Sequence, residues 1–323
     1  MCVTLERVGF MKVKGLLSIP GGILCQGNAL GKTFCGVIAG VNIEIHFPSF
    51  VDSHQEEGLD YIDMAHSLIA PPIGANLSRG GERITWGYLM KAPKMDFCVE
   101  RVMIEFDCSD TEVDELAQKV YANITEWSDS FVNYLQLATK QRVKRREKMY
   151  QQGETLELLC KGRYVENQHP HVVHVHFYGD TDFASSEAIE QAVGFASSGK
   201  ELFLEYQMLL SAYAARKEGK NRQAIIDACS AVEICLTNWI TNYCKGKDIS
   251  PEILTEKYRT LGDRFRLVSK LDPTFPVFDF NAVVVKPRND VAHNRDVYPT
   301  DACTDGLIEV VEKYMSHYHT KYY

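Results

Sequence analysis

The N-terminal part of the chain carries short apolar runs separated by glycine, proline, asparagine and aspartate. Residues 36–47 and 98–108 are two such runs. Short apolar runs that are bounded by turn-forming residues are typical of β-strands. The pattern therefore predicts a strand-rich region that extends to about residue 108.

A helical period begins at Asp110 or Thr111, where acidic side chains occupy the first turn. Apolar residues then recur every three or four positions, which predicts one long amphipathic helix. These residues are Val113, Leu116, Val120, Ile124, Trp127, Phe131 and Leu135. Strand character returns at residues 156–165 and 171–179. We expect an α+β domain with a mixed sheet on this helix, and no Rossmann-type sheet, because a glycine-rich first βαβ turn is missing.

From about Glu201 the helical period dominates. The helical segments lie at residues 201–219, 225–243, 251–271 and 300–318. Gly219 suits a C-terminal helix cap, and Thr300 or Asp301 suits an N-terminal one. The pattern predicts an all-α bundle of four or five helices. Because 323 residues suffice for two cores, we read the chain as two domains, residues 1–195 and 196–323.

Composition points to a folded, soluble protein, since 45% of the residues are apolar and 24% are charged. The N-terminus lacks a basic start followed by an apolar run, and no window approaches the roughly 20 apolar residues of a membrane span. We therefore expect a cytoplasmic protein that does not associate with a membrane. The ten cysteines contain no C-x-x-C pair and are read as reduced thiols.

The negative charge is unevenly distributed. The net charge is -8, but from Lys200 onward 17 basic residues balance 17 acidic ones, so the excess lies in the N-terminal part. Non-specific binding to nucleic acid requires many neutralised phosphates. Any contact with RNA is therefore expected to be local.

The segment 27–33, GNALGKT, ends like a phosphate-binding loop. That motif requires a glycine five positions before Gly31, where Gln26 stands, and a helix after Lys32. Since neither is present in the pattern, a hairpin turn is favoured.

Four histidines crowd into residues 169–176: His169, His171, His174 and His176. On a strand His174 and His176 share one face, but a third metal ligand would have to come from elsewhere. Exposed strand histidines are favoured, and no metal or other cofactor is expected.

Residues 140–148 hold six basic side chains in nine, at the end of the long predicted helix. A solvated helix end explains them, because cations there oppose the helix dipole favourably. As an alternative, this basic run attracts RNA and directs it toward the catalytic site. The residues expected to do so are Arg142, Lys144, Arg145 and Arg146.

Arg288 and His293 are separated by four residues and stand between the third and the last predicted helix. Asn289 follows the arginine directly. Residues 224–240 of the second helix, followed by residues 283–295, resemble the HEPN family, and in particular its abortive-infection branch. The likeness covers residues 200–320. It implies a ribonuclease that cleaves single-stranded or looped RNA in anti-phage defence or toxin-type growth arrest.

The chemistry implied by this resemblance needs a base and a cation. Histidine, with an ordinary pKa near 6.5, takes the proton of the ribose 2'-hydroxyl, while arginine neutralises the charge that develops on phosphate. The product is a 2',3'-cyclic phosphate, and no metal is required. The resemblance further implies a homodimer in which two such pairs meet. Asn289 is the third catalytic residue, which orients the pair or binds the ribose. Glu233, which holds Arg288 or His293 in place, and Asp290 have supporting roles. Residues expected to hold flanking phosphates are Lys286, Asn294 and Arg295.

Other functions stay open at this point. An arginine and a histidine near a helix start also form structural ion pairs or caps, which leaves a non-catalytic dimerisation or sensor protein that binds nucleotide, nucleic acid or a protein. A metalloenzyme built on the histidine run is a third reading. In the ribonuclease hypothesis, the N-terminal domain recognises an unknown trigger.

Overall fold

The structure is a computed structural model, and it describes most of the chain in twelve stretches. These are residues 10–49, 72, 86–91, 96–109, 111–141, 156–160, 163–164, 183–245, 247, 249–275, 279–293 and 298–318. The chain divides into two compact units, Met1–Lys200 and Glu201–Tyr323. Unit 1 contains a sheet with two helices, and the elements described in unit 2 are helices. The α+β class is thereby confirmed.

Unit 1 contains a sheet of seven described strands. They are β1 (Phe10–Cys25), β2 (Thr33–Ile38), β3 (Val41–His46), β4 (Gly87–Lys91), β5 (Asp96–Ser109), β6 (Leu156–Cys160) and β7 (Arg163–Tyr164). Their order is β2-β3-β5-β1-β6-β7, and β4 pairs with the first half of β5. All pairs between these strands are antiparallel, and the parallel element of the expected mixed sheet is an isolated bridge from Cys25 to Ala184.

The two long strands β1 and β5 form the centre of this sheet. Their register shifts between Ser18 and Ile23, and Gly22 in this irregularity has a φ of +69°. A Cβ atom at Gly22 would lie 2.4 Å from the sulfur of Cys98. Glycine is therefore required there both for its backbone conformation and for space.

Helices α1 (Val113–Thr139) and α2 (Ser186–Ser197) pack on one face of the sheet. Helix α1 is the predicted long helix, and five of the seven stripe residues are buried, Leu135 among them. Helix α2 was not predicted, because the polar residues before it were taken for a loop. They form its start instead, where the Ser185 hydroxyl accepts a hydrogen bond from the backbone N–H of Ala188.

The segment that resembles a phosphate loop forms a 3-10 turn, Gly27–Ala29, followed by strand β2. No helix follows Lys32, whose ammonium donates a hydrogen bond to the Ser186 hydroxyl over 3.0 Å. A turn was predicted correctly, but a hairpin was wrong, because β1 and β2 are separated by β3 and β5 in the sheet.

The secondary-structure elements among the described residues of unit 2 are all helices. The helices are α3 (Leu204–Lys217), α4 (Asn221–Cys244), α5 (Pro251–Lys257), α6 (Leu261–Leu271), α7 (Lys286–His293) and α8 (Asp301–Tyr318). Helix α4 is central, because it contacts each of the others. The third predicted helix is in fact two, since the chain breaks before Thr260, whose side chain caps α6.

Helix α4 also bears on solubility. An 18-residue window of this helix has a mean hydropathy of 1.3, sufficient by length and composition for a membrane span, and half of that window is buried. The expectation that no segment is apolar enough to span a membrane was therefore wrong by length and composition alone. Since the core helix of a soluble bundle has the same properties, a soluble protein is compatible with the structure.

Candidate active site

The segment that carries Arg288 and His293 is a helix, whereas the sequence pattern suggested a stretch between helices. It begins with a π-helical turn, Asn281–Val285, in which the Lys286 N–H donates to the carbonyl of Asn281. Pro287 has no N–H to give to the carbonyl of Val283, so a regular α-helix would lose a hydrogen bond here. The widened turn before the proline is a known way to accommodate such a defect, and π-turns are frequent at functional sites.

Three buried apolar side chains hold this segment against the other helices of unit 2. Phe280, Val284 and Val291 are between 0 and 3% exposed, and they recur at helical spacing. Arg222 of α4 donates a hydrogen bond to the carbonyl of Val291, in the last turn of α7. Sequence reasoning missed Arg222, because no pattern links the start of α4 to a backbone carbonyl about 70 residues later.

The opposite side of α7 is a polar stripe. Lys286, Asn289, Asp290 and His293 are all exposed, and their spacing of three, four and seven residues places them on one helix face. We call these four residues the α7 stripe. Their side chains are accessible in the protomer, as a substrate site requires.

Arg288 lies at the edge of the α7 stripe and is half-buried. Its guanidinium donates a hydrogen bond to the Asn289 side-chain oxygen over 3.2 Å. The structure thus brings Arg288 and Asn289 together. No described contact joins either of them to His293. Arg288 and His293 are five residues apart, and in an α-helix this separation turns the two side chains about 140° apart.

Glu233 of α4 is half-buried, and its described partner is Arg264 of α6, at 2.8 Å. The same guanidinium nitrogen donates to the Thr237 hydroxyl over 2.9 Å. The sequence analysis did not identify Arg264. The role of Glu233 in holding Arg288 or His293 therefore stays a prediction.

Cys229 lies one turn before Glu233 on α4, and the charges of Arg288 and Glu233 both affect the pKa of its thiol. Burial raises the pKa of this thiol to about 12, while the positive charge of Arg288 lowers it and the negative charge of Glu233 raises it. Both charged groups therefore lie within electrostatic reach of the sulfur. Arg288 is half-buried and close enough to α4 for its charge to act on Cys229, and its guanidinium is hydrogen-bonded to Asn289.

Comparisons with protein-family models, curated proteins and solved structures found no match. The family resemblance noted in the sequence therefore rests on the residues and spacings described above.

Several residues of the sequence hypothesis lie outside the described part of the chain. They are Asn294, Arg295, Arg142, Lys144, Arg145, Arg146 and the four histidines of residues 169–176. Their proposed contacts with RNA or with a metal stay predictions.

Proposed function

We propose that this protein is a metal-independent endoribonuclease of the HEPN type, active on single-stranded or looped RNA. The proposal rests on one observation: Asn289 and His293 are exposed on one face of α7, and the half-buried Arg288 lies at the edge of that face. Buried side chains hold this helix from behind, which limits the reorganisation needed to bind a phosphodiester.

In the proposed reaction His293 removes the proton from a ribose 2'-hydroxyl. The 2'-oxygen then bonds to phosphorus, the bond from phosphorus to the 5'-oxygen breaks, and the leaving oxygen takes up a proton. Arg288 donates to the phosphate oxygens and stabilises their developing charge. Asn289 orients Arg288. The products carry a 2',3'-cyclic phosphate and a free 5'-hydroxyl.

The proposed active form is a homodimer in which the α7 stripes of two protomers face one another. Because Arg288 and His293 do not converge within one protomer, His293 of one protomer would act with Arg288 of the other. Lys286, Asn294 and Arg295 would hold flanking phosphates, as would the basic run with Arg142, Lys144, Arg145 and Arg146. Asp290 would support His293 from the next turn.

The proposed location is the cytoplasm, and the proposed cellular role is anti-phage defence or toxin-type growth arrest. Unit 1 would recognise the trigger. This part of the proposal comes from the branch of the family that the sequence resembles.

A defined RNA tests the reaction. Wild-type protein treated with EDTA is incubated with a single-stranded RNA and with the same sequence 2'-O-methylated throughout. Cleavage of the first only, with cyclic phosphate ends that acid opens to 2'- and 3'-monophosphates, is the expected result. Cleavage of the methylated strand, or products with 5'-phosphates, would contradict attack by the 2'-hydroxyl.

A second candidate function is non-catalytic dimerisation and sensing. The observation in its favour is the angle of about 140° between Arg288 and His293 on α7. It predicts a dimer that binds nucleotide, nucleic acid or a protein and leaves both RNAs intact.

A further inference from the structure

A cluster of metal-ligating side chains lies on the sheet of unit 1. Glu44 and His46 are two residues apart on β3 and therefore point to the same face of the sheet. Glu105 of β5 is paired directly with Glu44 in the strand register. This face lies opposite the one on which Gly36 packs against Val193 of α2.

The ligand atoms of Glu44, His46 and Glu105 all lie within 4.8 Å of one another. Two carboxylates directly opposite each other on neighbouring strands repel. The arrangement therefore requires a positive charge close by.

His46 supplies a second observation that points to a ligand. Its Nδ1 atom lies 2.8 Å from the Thr33 hydroxyl. Its Nε2 atom is buried and has no hydrogen-bond partner, and the nearest Glu44 oxygen is 3.5 Å away. When Nδ1 donates to Thr33, Nε2 carries a free lone pair close to the Glu44 carboxylate. Such an imidazole, fixed by a hydrogen bond at the other nitrogen, is the usual form of a metal ligand.

We propose that Glu44, His46 and Glu105 bind a divalent transition-metal ion of the zinc type. Three protein ligands leave a fourth position for water or for an oxygen of a ligand. Two ligands at about 2.0–2.2 Å from zinc are at most about 4.4 Å apart, so the cluster has to close slightly. Glu44 can make this movement, because its side chain is 50% exposed.

The lysines of β1 offer a competing explanation. Lys12 hydrogen-bonds Glu105, and the Lys14 ammonium lies 3.5 Å from the other oxygen of that carboxylate. The cluster could be balanced by these ion pairs alone. Lys12 is 57% exposed, and an ion pair of that kind stabilises little, so a metal ion can displace it. The two explanations differ in what happens when Lys12 is removed.

The site does not depend on the proposed ribonuclease activity. Its ligands are all in unit 1, and cleavage by Arg288 and His293 uses no metal. A bound ion would bridge β3 and β5 and stabilise their pairing. Glu44 and Glu105 also line a cavity of about 350 Å³, together with Cys35, Asn42 and Asp107.

Titration of the full chain with zinc tests the proposal. After EDTA treatment and removal of the chelator, Zn²⁺ is titrated by calorimetry into wild-type protein and into Glu44→Gln, His46→Gln and Thr33→Val. The expected result is a site of one ion per chain that weakens at least tenfold in the first two variants and roughly tenfold in Thr33→Val, which loses only the partner of Nδ1. Lys12→Met is expected to bind zinc several-fold more tightly.

Two controls keep the outcome unambiguous. The double variant His174→Gln/His176→Gln changes the histidine run and should bind zinc like wild type. Melting temperatures without metal, measured for every variant, show that the fold is retained, and the exposed Glu44 gives a variant in which the fold is at little risk. The proposal is overturned if wild-type protein binds no zinc up to 100-fold molar excess, if Glu44→Gln and His46→Gln bind like wild type, or if only the histidine-run variant loses binding.

Discussion

Asp272 is a single side chain that connects the end of α6 to α8. Its Oδ1 atom accepts hydrogen bonds from the backbone N–H and the hydroxyl of Thr274, at 2.8 and 2.6 Å. Its Oδ2 atom accepts from the Tyr318 hydroxyl at 3.3 Å and lies 3.5 Å from the His317 ring. The hydrogen bond of the Thr274 hydroxyl is the main reason why the pKa of Asp272 lies below its ordinary value.

This pKa predicts how stability depends on pH. A carboxylate with a lowered pKa in the folded protein stabilises it above the unfolded pKa, about 3.9, and the stabilisation is lost as pH falls through the folded value. We expect Asp272→Asn to cost about 1 kcal/mol at pH 7 and to reduce the loss of stability below about pH 4. Urea unfolding at pH 7 and at pH 3 measures both effects. A variant with the same pH dependence as wild type would show that Asp272 does not contribute.

Individual candidate residues were predicted from the sequence where a short motif suggests a chemistry. Arg288, Asn289 and His293 were found because they are close in sequence. The Glu44 and Glu105 pair could not be found, because it depends on the register of β3 and β5. Glu44 and His46 alone were visible as an alternating pair of possible ligands in a predicted strand.

At the scale of elements, an aromatic cluster formed by Phe265, Phe280 and Tyr314 fixes the position of the start of the segment that contains α7. The Phe280 ring stacks on Phe265 of α6 with 3.9 Å between centroids, and its centroid is 5.2 Å from that of Tyr314 on α8. Phe280 is 1% exposed. It therefore joins the start of the π-helical turn to two helices.

Removal of this ring should loosen α7. We expect Phe280→Ala to lower the free energy of unfolding by about 3–5 kcal/mol, and Phe280→Leu to cost half of that or less, since leucine fills part of the cavity. Chemical denaturation of both variants measures the difference. Equal and small effects would mean that the cluster does not anchor the segment.

The elements themselves were predicted with unequal success. The helical period identified α1, α3, α4 and α8, because each has a long apolar stripe. It missed the helical state of residues 281–293, since Pro287 in mid-segment argues against a helix unless a π-turn accommodates it. It also missed α2, because hydrophilic capping residues before a short helix resemble a loop.

At the scale of the molecule, the proposed activity depends on a second copy of the chain. His293 lies on the α7 stripe and Arg288 at its edge, and the two side chains diverge, so the proposed site is complete only when two such stripes face each other. The near-neutral balance of residues 200–323 permits this approach, because the acidic excess lies in the other part of the chain.

We therefore expect a dimer in solution. Light scattering after size exclusion should give about twice the 36.6 kDa of the chain at micromolar concentration. Charge reversal in the α7 stripe, with Lys286→Glu as the test and the exposed Lys313→Glu on α8 as the control, should reduce dimerisation only in the first. A monomer that cleaves RNA at the same concentration would contradict the shared site.

The most direct measurement is the single-turnover rate of RNA cleavage in EDTA for wild type, Arg288→Ala and His293→Ala. The matched controls are Arg259→Ala and His317→Ala, which remove the same side-chain types elsewhere in unit 2. The expected loss is about 10²- to 10⁴-fold for His293→Ala and about 10²- to 10³-fold for Arg288→Ala, with both controls within a few-fold of wild type. Equal rates in all five proteins would show that Arg288 and His293 do not cleave RNA.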